Sequence, residues 1–309
     1  VQLPAAVVRR LPLAAKRAVL FRRAHGRLPR DRRPVTFTDK VNWRVLHDRR
    51  PLVGQLGDKL AMRAYAAQVC PDLPAPRVLW TGTDVAALAG VDLPERWVLK
   101  PNHGTIRVHV GTGPPDLAQL RRVTTGWLDE PLFPERGEWV YSQARRLLLV
   151  EEFLAPAGLA PAGPTPAGTA LTGTTPAGPT PAGTALTDHK FLVFDGRVRL
   201  VQVDTGRAGT DHRRRLYTPD WTPVDVVERV PPGPVTGPPA TLARMTEVAE
   251  ALGAAFDFVR VDLYDVGGTV WFGELTPYPG GGLDPFDPEL DRVLGAAWTL
   301  PSRAAVRAR

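Results

Sequence analysis

Cysteine occurs once, at Cys70, which excludes a disulfide framework and a Cys-rich zinc site. The six histidines form no HExxH pair, so a zinc-protease helix is absent. Serine appears only at Ser142 and Ser302 and no GxSxG occurs, which argues against a serine hydrolase. No GxxxxGK(S/T) is present and no GxGxxG follows a strand, arguing against a P-loop and a Rossmann site. No apolar run reaches the ~20 residues of a membrane-spanning helix.

What is there is an ordinary globular composition. The chain has 309 residues, 43% apolar and 23% charged, which suits one large or two medium domains. The net charge of +7 is uneven: residues 1–33 hold ten Lys and Arg against the one acid Asp31, while the remainder holds 29 basic and 31 acidic residues. The basicity therefore belongs to a leader, not to the body. That argues against a nucleic-acid-binding domain, and no nucleic acid is expected as a partner. The leader lacks the apolar core and cleavage site of a signal peptide. The chain opens on Val1, as a trimmed terminus or an alternative start would leave it. A cytoplasmic protein is expected. Residues 5–24 read as a basic helix that either attaches to an anionic membrane surface or polymer, at the inner membrane face, or packs on the body.

Along the body, Thr38-Asp39-Lys40 and Asp58 suit the starts of two helices. Strands are predicted at 77–80, 96–100 and 147–153. Residues 155–187 contain only Ala, Pro, Gly, Thr and Leu, and PAGPTPAGTALT at 161–172 recurs identically at 176–187. Such a segment cannot build a core and reads as a disordered insertion. Two further strands are expected around Asp195-Gly196, a polar loop at 206–215, a helix at 242–255 and a hairpin over 258–275. Strand pairs of this kind give an α+β (mixed α/β) class with more than one lobe.

The hairpin is the richest stretch. Alternation puts Arg260, Asp262 and Tyr264 on one face of its first strand, and Phe272, Glu274 and Thr276 on one face of its second. An odd loop, Val266 to Gly268, sets Arg260 opposite Glu274 and Asp262 opposite Phe272, and an even loop would split the two acids between faces. Two carboxylates beside a guanidinium suit a Mg²⁺–polyphosphate complex. A surface Arg–acid network fits the same spacing. Lys100 ends an apolar strand just before a loop of small residues, where it could reach a phosphate; an ordinary edge charge is the alternative.

Taken together, PVTFTDKVNW at 34–43, GDKLAMR at 57–63, WVLKPNHG at 97–104, LVEEFL at 149–154, DHKF at 188–191, FVRVDLY at 258–264, FGELT at 272–276 and PGGG at 279–282 resemble the TupA-like ATP-grasp proteins, which are associated with teichuronopeptide and cell-surface polymer biosynthesis. The resemblance implies an ATP-grasp fold, two α+β lobes clamping ATP. The expected divisions are a leader at 1–33, an N-terminal lobe at 34–95, the nucleotide-binding and catalytic region at 96–295 and a tail at 296–309. It implies that Lys59, Lys100 and Lys190 reach phosphates, with Lys190 a ribose candidate too, and that Asn102, His103 and Gly104 open the loop that folds over them. Glu151, Glu152 and Leu154 become adenine and ribose contacts. Asp262 and Glu274 become Mg²⁺ ligands and Arg260 the phosphate-facing arginine. Thr276 stands where many ATP-grasp ligases have Asn, which leaves a second metal ion open.

The implied activity is carboxylate–amine ligation through an acyl phosphate, using ATP and Mg²⁺. The substrates would be a carboxylate and an amine, small molecules or polymer precursors. Arg207, His212, Arg213 and Arg214, with Gly280 and Gly281, are the substrate candidates. The rival functions are an ATP-grasp kinase of a small molecule or sugar, a degenerate nucleotide-binding scaffold, and a basic polymer-binding protein driven by residues 1–33. The insertion lies outside all these stretches, so deleting 156–186 is expected to leave nucleotide binding intact.

Overall fold

The computed structural model describes residues 10–129, 134–155, 170–171, 186–206, 211–226 and 229–306. The expected disorder of 155–187 falls almost wholly outside the described residues, as does Arg207.

Two antiparallel sheets carry the fold, as the α+β reading requires. The first has spatial order β1-β4-β2-β3-β5, from β1 (Val78–Gly82), β2 (Arg96–Pro101), β3 (Val108–Thr112), β4 (Leu148–Glu152) and β5 (Ala170–Leu171). The second runs β11-β10-β6-β7-β8-β9, from β6 (Asp188–Phe194), β7 (Arg197–Thr205), β8 (Arg213–Tyr217), β9 (Pro223–Val224), β10 (Phe258–Val266) and β11 (Thr269–Thr276). Helices α1 (Leu13–His25), α2 (Phe37–His47), α3 (Pro51–Gly54) and α4 (Lys59–Val69) precede β1; α5 (Leu117–Val123) and α6 (Val140–Gln143) separate β3 from β4. Helices α7 (Leu242–Gly253) and α8 (Pro288–Ala296) flank the last hairpin in sequence. No helix among the described residues is long and apolar enough to cross a membrane.

The first sheet buries Trp97, Leu99, Leu148 and Val150 against Leu120 and Trp127. The second sheet is covered on both faces, and its β6 is buried at every position, its second half, Phe191–Phe194, being a continuous apolar run instead of an alternation. One face packs Phe191, Val193, Val259 and Val261 against α7 and against Met62 of α4. The other packs Leu192, Phe194 and Phe258 against Phe37 and Val41 of α2 and against Trp298. Alternation then places Lys190, Arg260 and Asp262 on this second face as well. Along the strands the face changes from aromatic to charged, and the charged half is the site described below.

Four sequence expectations change. Helix α1 runs over Leu13–His25 instead of 5–24, with Pro12 at its N-cap position, and its buried residues are Arg17 and Phe21. Packing on the body is therefore the reading of this helix that its contacts fit. The start of α2 is capped by Thr36, whose side chain accepts from Asp39 N, not by a residue of 38–40. Residues 213–217 form β8, not a loop, because Arg214 pairs with Asp204 across the ladder. The hairpin loop has two residues: Gly267 and Gly268 both have positive φ (61° and 80°), as a tight primed turn needs. The pairing is consequently Asp262 with Glu274 and Arg260 with Thr276, and a bulge at Gly273 supplies the parity assigned to the loop.

Candidate active site

The second sheet gathers its charged residues by register alone. Asp262 pairs with Lys190 across β10 and β6, Lys190 with Gln202 across β6 and β7, and Asp188 with Asp204. Lys190 is buried, and its Nζ lies 2.8 Å from Asp188 Oδ2, 3.2 Å from Asp262 Oδ2 and 3.9 Å from Asp204 Oδ2. Three carboxylates around one ammonium explain how a lysine is tolerated inside a sheet core. Arg260 forks onto Asp262, its Nε and Nη2 donating to Oδ1 and Oδ2 at 2.7 Å each. Its Nη2 also reaches Thr276 Oγ1 at 3.1 Å, and that hydroxyl donates to Glu274 Oε1 at 2.7 Å. Burial would raise the Glu274 carboxyl, but Lys59 and Arg260 outweigh it and hold the group below its ordinary value. Burial likewise opposes ionisation of Asp204, yet His212, Arg214 and Lys190 drive its carboxyl well down.

The first sheet contributes from the other side. Lys100 of β2 ion-pairs with Glu151 of β4, and Arg63 of α4 holds the second oxygen of that carboxylate at 2.8 Å. Glu152 Oε1 accepts from Arg77 N at 2.7 Å. Leu154 follows β4, half-buried.

Lys59 joins the two halves. Asp58 caps α4 by accepting from Ala61 N, and Arg145 forks onto its carboxylate. Against the cost of burial, these bonds hold Asp58 at about 2, with Arg145 the strongest. Lys59 is the first residue of α4, and its Nζ donates to Gly104 O at 2.6 Å. Burial lowers its ammonium to about 8, with Glu274 opposing and Lys100 adding to the fall. A single side chain thus senses a carboxylate of the second sheet and a lysine of the first.

The structure brings together Lys59, Lys100, Lys190, Arg260, Asp262, Glu274 and Thr276. It gives Asn102 and His103 other work. Asn102 accepts from Leu60 N at 3.0 Å and donates to Arg145 O at 3.1 Å, so it fixes the start of α4 and with it Lys59. His103 is buried beside Arg146, and burial and the surrounding cations lower its imidazole to about 4, which keeps it neutral. Gly104, at φ 76°, lies at the opening of the loop where any side chain would be strained. Arg213 is exposed and paired with Asp211, whereas its neighbour Arg214 turns inward to Asp204. Gly280 and Gly281 form a left-handed turn at Pro279–Gly282. Sequence reasoning missed Arg17, Arg63 and Arg145, because nothing local to a lone arginine says that Arg17 is buried or that Arg63 and Arg145 pair with Glu151 and Asp58.

Asp262 and Glu274 face each other directly across the hairpin, two hard oxygen donors on a buried face. Among the described residues no three His, Cys, Asp or Glu side chains stand together as a metal cage. Mg²⁺ takes one or two protein carboxylates and fills its shell with water and phosphate oxygens, so this donor set fits it. Thr276 is engaged with Arg260 and Glu274 and orients both.

Residues 179–299 match the family model of the TupA-like ATP-grasp proteins. That segment holds Lys190, Arg260, Asp262, Glu274 and the Pro279–Gly282 turn, so the resemblance read from the motifs is met there. The comparison with curated proteins finds no match. Among solved structures the chain is similar to the D-alanine–D-alanine ligase of Bacillus anthracis, at 12% identity and TM-score 0.40, over 78% of this chain and 61% of that one. It is similar to the D-alanine–D-alanine ligase of Helicobacter pylori, at 11% identity and TM-score 0.46, over 86% and 67%. A third is the ATP-grasp ligase PsnB, solved with Mg and ADP, at 15% identity and TM-score 0.39, over 80% and 59%. The chain spans about three fifths to two thirds of the length of these proteins.

Proposed function

We propose that the protein is an ADP-forming carboxylate–amine ligase that works through an acyl phosphate on a precursor of a cell-surface polymer. The observation that carries this reading is the meeting of Lys59 and Lys100 with the Lys190–Arg260–Asp262–Glu274 cluster at one junction between the sheets. In it, Asp262 and Glu274 would hold Mg²⁺, which when bound neutralises phosphate charge. Lys59, Lys100, Lys190 and Arg260 spread the charge of the transferring phosphoryl group. Glu152 and Leu154, at the end of β4, would contact adenine and ribose, while the Glu151 carboxylate is engaged by Lys100 and Arg63 and orients Lys100 instead. The γ-phosphoryl passes to a substrate carboxylate, and an amine then displaces phosphate. No protein nucleophile is needed, in keeping with the scarcity of Ser and Cys. Arg207, Arg213 and the Pro279–Gly282 turn are the contacts proposed for substrate. The reaction is assigned to the cytoplasm, where ATP is available.

Calorimetry of ATP with Mg²⁺ tests the site. Binding should weaken at least tenfold in Asp262→Asn with Glu274→Gln. A folded wild-type protein that binds no ATP would leave only a scaffold role. Product analysis then separates the activities: an amide with free phosphate supports ligation, and a stable phosphoester would replace it with a kinase.

A further inference from the structure

Glu138 lies just before α6 and has no part in the chemistry above. Its carboxylate rests on the bare face of Gly281, where a Cβ would come within 2.5 Å of Glu138 Oε1. Gly281 belongs to the turn that follows β11, the strand carrying Glu274 and Thr276. Glycines 280, 281 and 282 all sit at positive φ (56°, 63° and 67°), so the turn presents backbone and no side chains on this side. Tyr141, half-buried in α6, links Glu138 to the hairpin electrostatically: its phenol feels Glu138, Glu274, Tyr278 and Arg260 together.

The charged groups that face Glu138 are the guanidiniums of Arg136 and Arg17 and the carboxylates of Asp284 and Glu135. Arg17 donates to Asn42 Oδ1 at 2.9 Å and to Gly281 O at 2.7 Å, so it buttresses the turn. Glu274 accepts a hydrogen bond from Thr276 that favours its ionised form. Glu138 is different: burial, with Asp284 and Glu135 adding to it, outweighs Arg136 and Arg17 and lifts its carboxyl to about 7. A base is most effective when it titrates near the working pH.

We propose that Glu138 and the Pro279–Gly282 turn form the subsite for the amine co-substrate, and that the Glu138 carboxylate takes the proton the amine must lose. This rests on the ligase reading. A primary amine reaches a protein at neutral pH as an ammonium, which has no lone pair to attack with. One N–H proton passes to Glu138, and the freed lone pair forms the C–N bond to the acyl carbon. The C–O bond to phosphate breaks, phosphate leaves with that electron pair and carries off the nitrogen's second surplus proton, which leaves the neutral amide, and Glu138 returns its own proton to water. Because Gly281 carries no side chain, the Glu138 carboxylate lies directly beside the backbone of the turn, so the two can hold one ammonium together. The substrate class is thus a primary ammonium, not an alcohol or a thiol.

The test compares two nucleophiles on wild type and Glu138→Gln, with ATP binding by calorimetry as the check on folding. Hydroxylamine is largely neutral near pH 7.5 and captures an acyl phosphate as a hydroxamate without needing a base. Glycinamide and a panel of other primary amines need one. In Glu138→Gln, kcat/KM for the amine should fall on the order of 10²-fold, while hydroxamate formation falls far less. The wild-type rate with the amine should rise with pH through about 7, as the carboxylate ionises, and that limb should vanish in the variant. Equal losses with both nucleophiles would overturn the proposal, since a merely structural role predicts them. So would a wild-type enzyme that makes hydroxamate but takes no amine. Wild type that makes no hydroxamate from any carboxylate would sink the ligase reading itself, a distinct result.

Discussion

At Gly273 a Cβ would stand 2.8 Å from the Asp262 carbonyl oxygen and 2.9 Å from the Tyr264 ring. The bulge there lets Glu274 face Asp262; without it Asp262 would oppose Gly273, and Glu274 would turn to the other side of the sheet. Gly273→Ala should therefore either strain the hairpin, by roughly 1–3 kcal/mol as overpacking does, or remove the bulge and part the two acids. Both routes should weaken Mg²⁺-dependent ATP binding about tenfold or more in calorimetry and lower the melting temperature. Gly90→Ala is the control, because a Cβ there meets nothing within 4 Å. Unchanged binding in Gly273→Ala would mean that the pairing of Asp262 with Glu274 does not matter to the site. This position also marks a limit of sequence reading. Alternation demanded one extra residue somewhere between Asp262 and Glu274, but a loop of odd length and an even loop with a bulge satisfy the same parity. Only the paired backbone tells them apart.

Helix α1 shows the same limit at the scale of an element. Its sequence is a run of basic residues with weak periodicity, and nothing local says that Arg17 faces inward. Once folded, Arg17 and Phe21 are fully buried and His25 Nε2 donates to Gly282 O at 3.0 Å. Two residues of one helix thus grip consecutive carbonyls of the glycine turn. In Arg17→Met the turn should loosen: the amides of Gly281 and Leu283, which donate to Tyr278 O and Gly280 O, should exchange with solvent about tenfold faster. ATP binding should change little, since Lys59, Lys100 and the hairpin do not depend on α1. Unaltered exchange would show that the turn holds its own shape. Elements whose signal is local were legible: the buried run of β6, the alternation of β10, the Asp58 cap of α4. Strand β8 was not, because three successive arginines look like a solvated loop until Asp204 and Asp225 are placed beside them.

Across the whole molecule, the order β1-β4-β2 in the first sheet could not be read from the sequence, since strand patterns specify faces and not neighbours. That order matters because β4 brings Glu151 beside Lys100 and then hands the chain to β6, which opens the Lys190 cluster. The Ala/Pro/Gly/Thr segment is therefore the covalent link between the two halves of the site. Its composition offers no charge and little apolar bulk to the chemistry, and its described pair, Ala170 and Leu171, only extends the edge at Val108 and His109. Its contribution should be that of a tether. Replacing residues 156–186 by an eight-residue Gly/Ser linker shortens the tether about fourfold, which changes its closure free energy by only ~1.2 kcal/mol. The variant should bind ATP and Mg²⁺ within about threefold of wild type, by calorimetry, and melt within a few degrees of it. If the variant folds yet binds no nucleotide, the segment is part of the site and the tether account is wrong. If it binds normally, the repeat is free to vary in length while the sheets, and the lysines and acids they align, remain in place.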